Sequence, residues 1–117
     1  MLNFEGKRVF LACGDTDMRK QINGLAALVE GSFNLDPFDG AVFVFCNKGR
    51  NRLKILEWGG DGFWLHLKRL EKGRFRWPKP GEEATMTLTG DELNILLSGS
   101  RIELKIQRRE VFERRVI

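Results

Sequence analysis

Six consecutive apolar residues, Ala41-Val42-Phe43-Val44-Phe45-Cys46, constrain this chain more than any other stretch. A strand with one face in water alternates polar and apolar side chains, so an unbroken apolar run of strand length reads as a strand covered on both faces. The run is far short of the ~20 residues a bilayer-spanning helix needs. With 117 residues the chain has room for one domain. Hydrophobic residues make up 42% and charged residues 31% of it, the balance of a globular domain. The first residues lack a secretory pattern, and the chain is expected to be cytoplasmic.

Around that run the sequence reads as α+β. Arg8-Val9-Phe10-Leu11-Ala12 is a first strand, stopped by Cys13-Gly14. Asp15-Thr16-Asp17 offers helix-capping oxygens, and Met18, Ile22, Leu25 and Val29 recur at helical spacing, which predicts a helix over 17–30. Gly24 within it costs about 1 kcal/mol against alanine and suggests close packing on a strand. Asp36-Pro37-Phe38-Asp39-Gly40 is a turn. Strands follow over 52–58, 63–70, 74–77 and 84–88, separated by glycine-containing turns, which argues an antiparallel meander. Thr89-Gly90-Asp91-Glu92 has the form of a capping box opening a short second helix over 91–97. Ile102-Glu103-Leu104-Lys105-Ile106 alternates like a late strand, and 107–117 reads as a frayed tail. The fold class is therefore α+β: a single domain over 1–117, with an antiparallel sheet of five or more strands packed by one main helix, plus a short second helix. The expected core is Val9, Leu11, Ile22, Leu25, Val29, Val42, Val44, Leu53, Ile55, Phe63, Leu65 and Phe75.

The net charge is +4, and its distribution is uneven. Residues 48–79 carry ten basic against three acidic side chains, while 80–100 carry four acids and no base. A basic middle between neutral or acidic flanks points to an anionic partner, most often nucleic acid. If the strands align, Arg52 and Lys54, then Trp64, His66 and Lys68, then Arg74 and Arg76 project from one sheet face, with Lys48 and Arg50 in the preceding turn. Such a face presents cations to phosphates, with Trp64 as the one candidate stacking platform. By alternation Lys54 and Lys68 are the most exposed of the set, and Arg69 turns inward. The competing reading is a solvated charged face.

Other chemistry finds less support. Asp15, Asp17, Asp36 and Asp39 each sit where a cap or turn explains them, so a metal-dependent nuclease ranks well behind a non-catalytic role. A lone histidine, His66, has no nameable catalytic partner, and two cysteines are too few for a structural zinc site. Cys13 and Cys46 lie in or beside apolar strands and read as inert thiols without a disulfide. No metal or cofactor is expected.

Three ordered segments carry a resemblance. They are Cys13-Gly14-Asp15-Thr16-Asp17-Met18-Arg19-Lys20 running on to Gly24-Leu25-Ala26-Ala27-Leu28-Val29; Leu35-Asp36-Pro37-Phe38 with Phe43-Val44-Phe45; and Arg52-Leu53-Lys54-Ile55-Leu56 with Trp58, Gly62-Phe63, residues 68–75 and Trp77-Pro78. Together they resemble the TnpB-type accessory protein encoded by the second open reading frame of the IS66 class of bacterial insertion sequences. Asp15 stands where that family usually has proline, Gln21 where glycine is common, and Cys46 where a polar residue is frequent. The resemblance implies a role in DNA transposition beside a separate, larger transposase that holds the catalytic acids. The leading expectation is a non-catalytic accessory factor binding DNA. The alternative is a protein-interaction subunit of the transposase complex that does not touch DNA.

Overall fold

In a computed structural model, the structure describes residues 2–98. Five strands and two helices follow in the order β1 (Arg8–Ala12), α1 (Ile22–Gly31), β2 (Val42–Cys46), β3 (Arg52–Trp58), β4 (Phe63–Arg69), β5 (Thr85–Thr89) and α2 (Gly90–Ser98). They build one five-stranded sheet with spatial order β4-β3-β2-β1-β5. The apolar run supplies β2 at the centre, and every residue from Val42 to Cys46 is buried. The sheet is mixed rather than wholly antiparallel: β1 pairs with β2 in parallel, Val9 opposite Val42 and Leu11 opposite Val44. Parallel neighbours need a long crossover, and α1 with its flanking loops provides it.

The two helices lie on opposite faces. Val9, Leu11, Val42, Val44, Leu53 and Ile55 pack with Leu93 and Leu96 of α2. Phe43, Phe45 and Leu56 pack with Leu25 and Val29 of α1, where the Phe10 ring stacks on Phe43 at 5.7 Å. The expected core therefore divides into two, with the α1 residues on the face away from Val9 and Leu11. Ile22, Phe63 and Leu65 are half-buried at the margin of the α1 side. Alternation along a strand separates these sets, and only a two-sided cover satisfies both.

Several local expectations change. Helix α1 starts at Ile22, because residues 17–20 form a turn in which Asp17 Oδ1 accepts the Arg19 N–H at 2.9 Å. A Cβ at Gly24 would meet only the Lys20 side chain, at 3.3 Å, so no strand packs closely there. Residues 74–77 are not a strand. Phe75 and Trp77 are buried in the α2-side core, the Trp77 indole donates to the Ala12 carbonyl at 2.8 Å, and Pro78 and Pro80 lack the N–H a ladder needs. Alternation there reflects burial against a sheet face rather than pairing.

The capping box forms as read. Thr89 N–H donates to Glu92 Oε1 at 2.9 Å, and Glu92 N–H donates to Thr89 Oγ1 at 3.1 Å. The N-terminal segment crosses the start of α2 so closely that a Cβ at Gly90 would sit 1.7 Å from the Phe4 carbonyl oxygen. That contact seats the Phe4 ring in the core. The alternating segment over 102–106 and the tail over 107–117 lie outside the described residues. No helix among the described residues is long and apolar enough to cross a membrane.

Candidate nucleic-acid interface

The β3–β4 register decides which basic residues meet. Directly opposite residues in an antiparallel pair share a face. Arg52 stands opposite Arg69, Leu53 opposite Lys68, Lys54 opposite Leu67, Ile55 opposite His66 and Glu57 opposite Trp64. Arg52 and Lys54 consequently belong to the α1 side of the sheet, while Trp64, His66 and Lys68 belong to the α2 side. Arg74 and Arg76 lie on the irregular segment after β4. The single basic and aromatic face expected from alternation does not exist.

Lys54 is the clearest correction. Its residue is 6% exposed, and its ammonium donates to the carbonyls of Met18 (2.8 Å) and Lys20 (2.7 Å). Burying an ammonium is tolerable only with such compensation, and here it ties the 17–20 turn to the sheet. Lys68 is exposed as expected, and its ammonium donates to the Leu97 carbonyl at the end of α2. Trp64 is 62% exposed but stands far along β4 from Arg69, its ring stacked on His66 at 6.0 Å and its indole nitrogen close against Gly59.

What the fold does assemble is a basic end of the sheet. The β2–β3 turn brings Lys48, Arg50 and Arg52 to the end where β4 finishes at Arg69 and continues to Lys72 and Arg74. Hydrogen bonds join these segments: Leu70 N–H to the Asn51 carbonyl at 2.8 Å, and Phe75 N–H to the Arg50 carbonyl at 2.6 Å. The Asn47 side chain accepts from the Asn51 and Arg52 amides, both at 3.0 Å, and fixes the turn in which Arg50 adopts φ 59°. Arg69 pairs with Glu71 at 2.8 Å. Lys48, Arg50, Arg52, Lys72 and Arg74 form no ion pair with a carboxylate among the described residues. Like charges directly opposite one another, as at Arg52 and Arg69, disfavour the pair unless an anion lies between or beside them.

Arg69 and Lys72 are the members that sequence reading missed. Their signal is the hairpin register, which the Gly59 N–H to Gly62 carbonyl bond at 2.7 Å sets, and not any local motif. Arg69 does not turn inward; it is exposed. Three of the four acids singled out above, Asp17, Asp36 and Asp39, are by contrast occupied structurally. Arg19 binds both oxygens of Asp17 and, with its amide, lowers the Asp17 carboxyl to a pKa of about 2. Burial opposes ionisation at Asp39, but bonds from the Ala41 amide and Arg8 outweigh it and hold the carboxyl below its ordinary value. Asp36 accepts the Phe38 N–H at 2.9 Å in the turn at the other end of the sheet. No group of three or more metal-ligating side chains occurs among the described residues.

Comparisons with known proteins identify the family. The family described as IS66 Orf2-like protein matches residues 7–107. Two uncharacterized proteins of Sinorhizobium fredii (strain NBRC 101917 / NGR234) are similar. One, y4jC, is 36% identical over 94 residues, covering 80% of each chain. The other, y4hO, is 40% identical over 92 residues, covering 79% of each. No solved structure matches. With the match spanning most of the sequence and each relative covered for about four-fifths of its length, the chain belongs to the IS66 Orf2-like protein family.

Proposed function

We propose that this chain is a non-catalytic accessory factor of insertion-sequence transposition that holds a nucleic-acid backbone against the basic end of its sheet. Family membership supports the transposition role. The observation that carries the nucleic-acid half is the grouping of Lys48, Arg50, Arg52, Lys72 and Arg74 at one end without carboxylate partners among the described residues. Arginine forks and lysines at a rim of this kind suit phosphate oxygens, and phosphate contacts position a protein without reading sequence. Aromatic residues do not share the rim: Phe75 and Trp77 are buried and Trp64 lies elsewhere on β4. Phosphate contact therefore dominates over base stacking in this reading.

The test is a salt titration of binding to labelled duplex and single-stranded DNA. Log affinity for duplex should fall with log salt at about −0.9 per phosphate contact. Arg52→Ala and Arg74→Ala should weaken binding to unrelated sequences equally and make the slope shallower by about one each. Failure to bind either form at low salt refutes the reading and leaves the protein-interaction subunit in its place.

A further inference from the structure

Strand β4 is an outer strand of the sheet, and among the described residues nothing pairs with its far edge. The β3–β4 register shows which backbone groups that edge offers. At one end of the ladder the Gly59 N–H donates to the Gly62 carbonyl at 2.7 Å, and at the other the Leu70 N–H donates to the Asn51 carbonyl at 2.8 Å. Hydrogen-bonded and non-hydrogen-bonded pairs alternate along an antiparallel ladder, so Trp64, His66 and Lys68 also bond inward to β3. The amides and carbonyls of Phe63, Leu65, Leu67 and Arg69 therefore point outward. An edge of this kind is a template for another strand.

The side chains divide between the two faces of the sheet. Phe63, Leu65, Leu67 and Arg69 belong to the α1 side, where Leu67 is 64% exposed. Trp64, His66 and Lys68 belong to the α2 side, where Trp64 is 62% exposed. A second β4 laid antiparallel along the edge matches both sets. Full overlap of 63–69 on itself sets Phe63 opposite the partner's Arg69 and Leu65 opposite the partner's Leu67. It sets Trp64 opposite the partner's Lys68, and His66 opposite the partner's His66 on a two-fold axis. The outward-bonding residues then meet one another, as a ladder requires, and every pair keeps to one face. The α1 side gains a leucine pair and a ring beside a guanidinium, and the α2 side gains a ring beside an ammonium. Cations attract aromatic faces, and in this register no two Lys or Arg side chains stand opposed. Arg69 bonds Glu71 through its edge, which leaves its planar face for the ring.

We propose that the free edge of β4 is a self-association surface, on which two copies of this chain pair antiparallel about His66 and join their five-stranded sheets into one. The occupant is a second copy because bonding parity, side-chain face and charge all agree when this strand meets itself over its whole length. A two-fold pairing uses the same edge of both copies and closes at a dimer. Nucleic acid plays no part in it.

Sedimentation equilibrium of the full chain without nucleic acid, from about 1 to about 200 μM, tests this. The mass should rise from 13.5 kDa toward twice that value. Leu67→Lys should weaken association about tenfold or more by placing a charge on the edge, opposite the partner's Leu65. Leu67→Pro should do the same, because the outward amide it removes takes no part in the β3 ladder. Circular dichroism checks that both variants fold, and the lysine variant carries the test if the proline variant does not. In a mixed labelled and unlabelled sample, nuclear magnetic resonance should find Hα–Hα contacts between molecules at the non-hydrogen-bonded pairs, His66 with His66 and Trp64 with Lys68. A constant mass of 13.5 kDa, association that the folded Leu67 variants leave unchanged, or intermolecular contacts in another register would overturn the proposal. Contacts within one molecule between β4 and residues beyond Ser98 would make the chain's own continuation the occupant and overturn it equally.

Discussion

Replacing Lys54 by methionine separates a structural cation from a functional one. Methionine keeps most of the stem's volume, so the packing change is small. What disappears is the ammonium that donates to the Met18 and Lys20 carbonyls at 2.8 and 2.7 Å. Hydrogen bonds from a charged donor contribute roughly 1.5–3 kcal/mol each, and removing the donor strands its partners. Against this stands relief of the ammonium's desolvation, which costs several kcal/mol in a buried site. Lys20 is exposed and Met18 half-buried, so water can reach part of what is lost. The balance is a loss of about 1–3 kcal/mol, read as a lower urea midpoint at unchanged slope. DNA affinity per folded molecule should not change, because the amine points into the protein. Arg52→Ala should show the reverse: weaker DNA binding and stability within ~0.5 kcal/mol of the parent. A Lys54→Met protein as stable as the parent, or one that stays stable but loses DNA binding with a shallower salt slope, would refute this assignment.

Gly90→Ala should destabilise by about 2 kcal/mol. The new Cβ cannot coexist with the Phe4 carbonyl, and the lost burial of Phe4 exceeds the helix-propensity gain of about 1 kcal/mol; a denaturant midpoint at or above the parent's would contradict the close crossing. In a carboxyl titration Asp17 should show its midpoint at about 2, with Arg19→Gln moving it up toward the ordinary value. Because the folded pKa is depressed, the stability this pair contributes is present above the unfolded value near 4 and is lost as pH falls toward 2; a midpoint near 4 in the parent refutes it. Burial pushes the Cys46 thiol up to about 12, so at pH 8 it should react with a thiol reagent only as the chain unfolds. Its contribution is intact below the unfolded thiol value near 8.5 and is lost as pH rises toward 12; prompt labelling of native Cys46 would show that β2 is not sealed.

The sequence by itself determined the elements whose cause is local. The apolar run 41–46 had to be a strand covered twice, the 52–58 and 63–69 strands alternate between glycine turns, and Thr89 with Glu92 closes a capping box across one helical turn. It also placed the charge surplus in the middle of the chain. The parallel β1–β2 pair, the division of the core between two helices, the irregular path of Phe75 and Trp77, and the burial of Lys54 were decided by the tertiary structure. Alternation gives every second residue the same face, but it does not say which face of one strand joins which face of the next. That choice rests on register and on which elements cover each side. Arg52 meets Arg69 rather than Lys68 for that reason, and the cations gather at an end of the sheet, where loops from distant parts of the chain converge, instead of along one face.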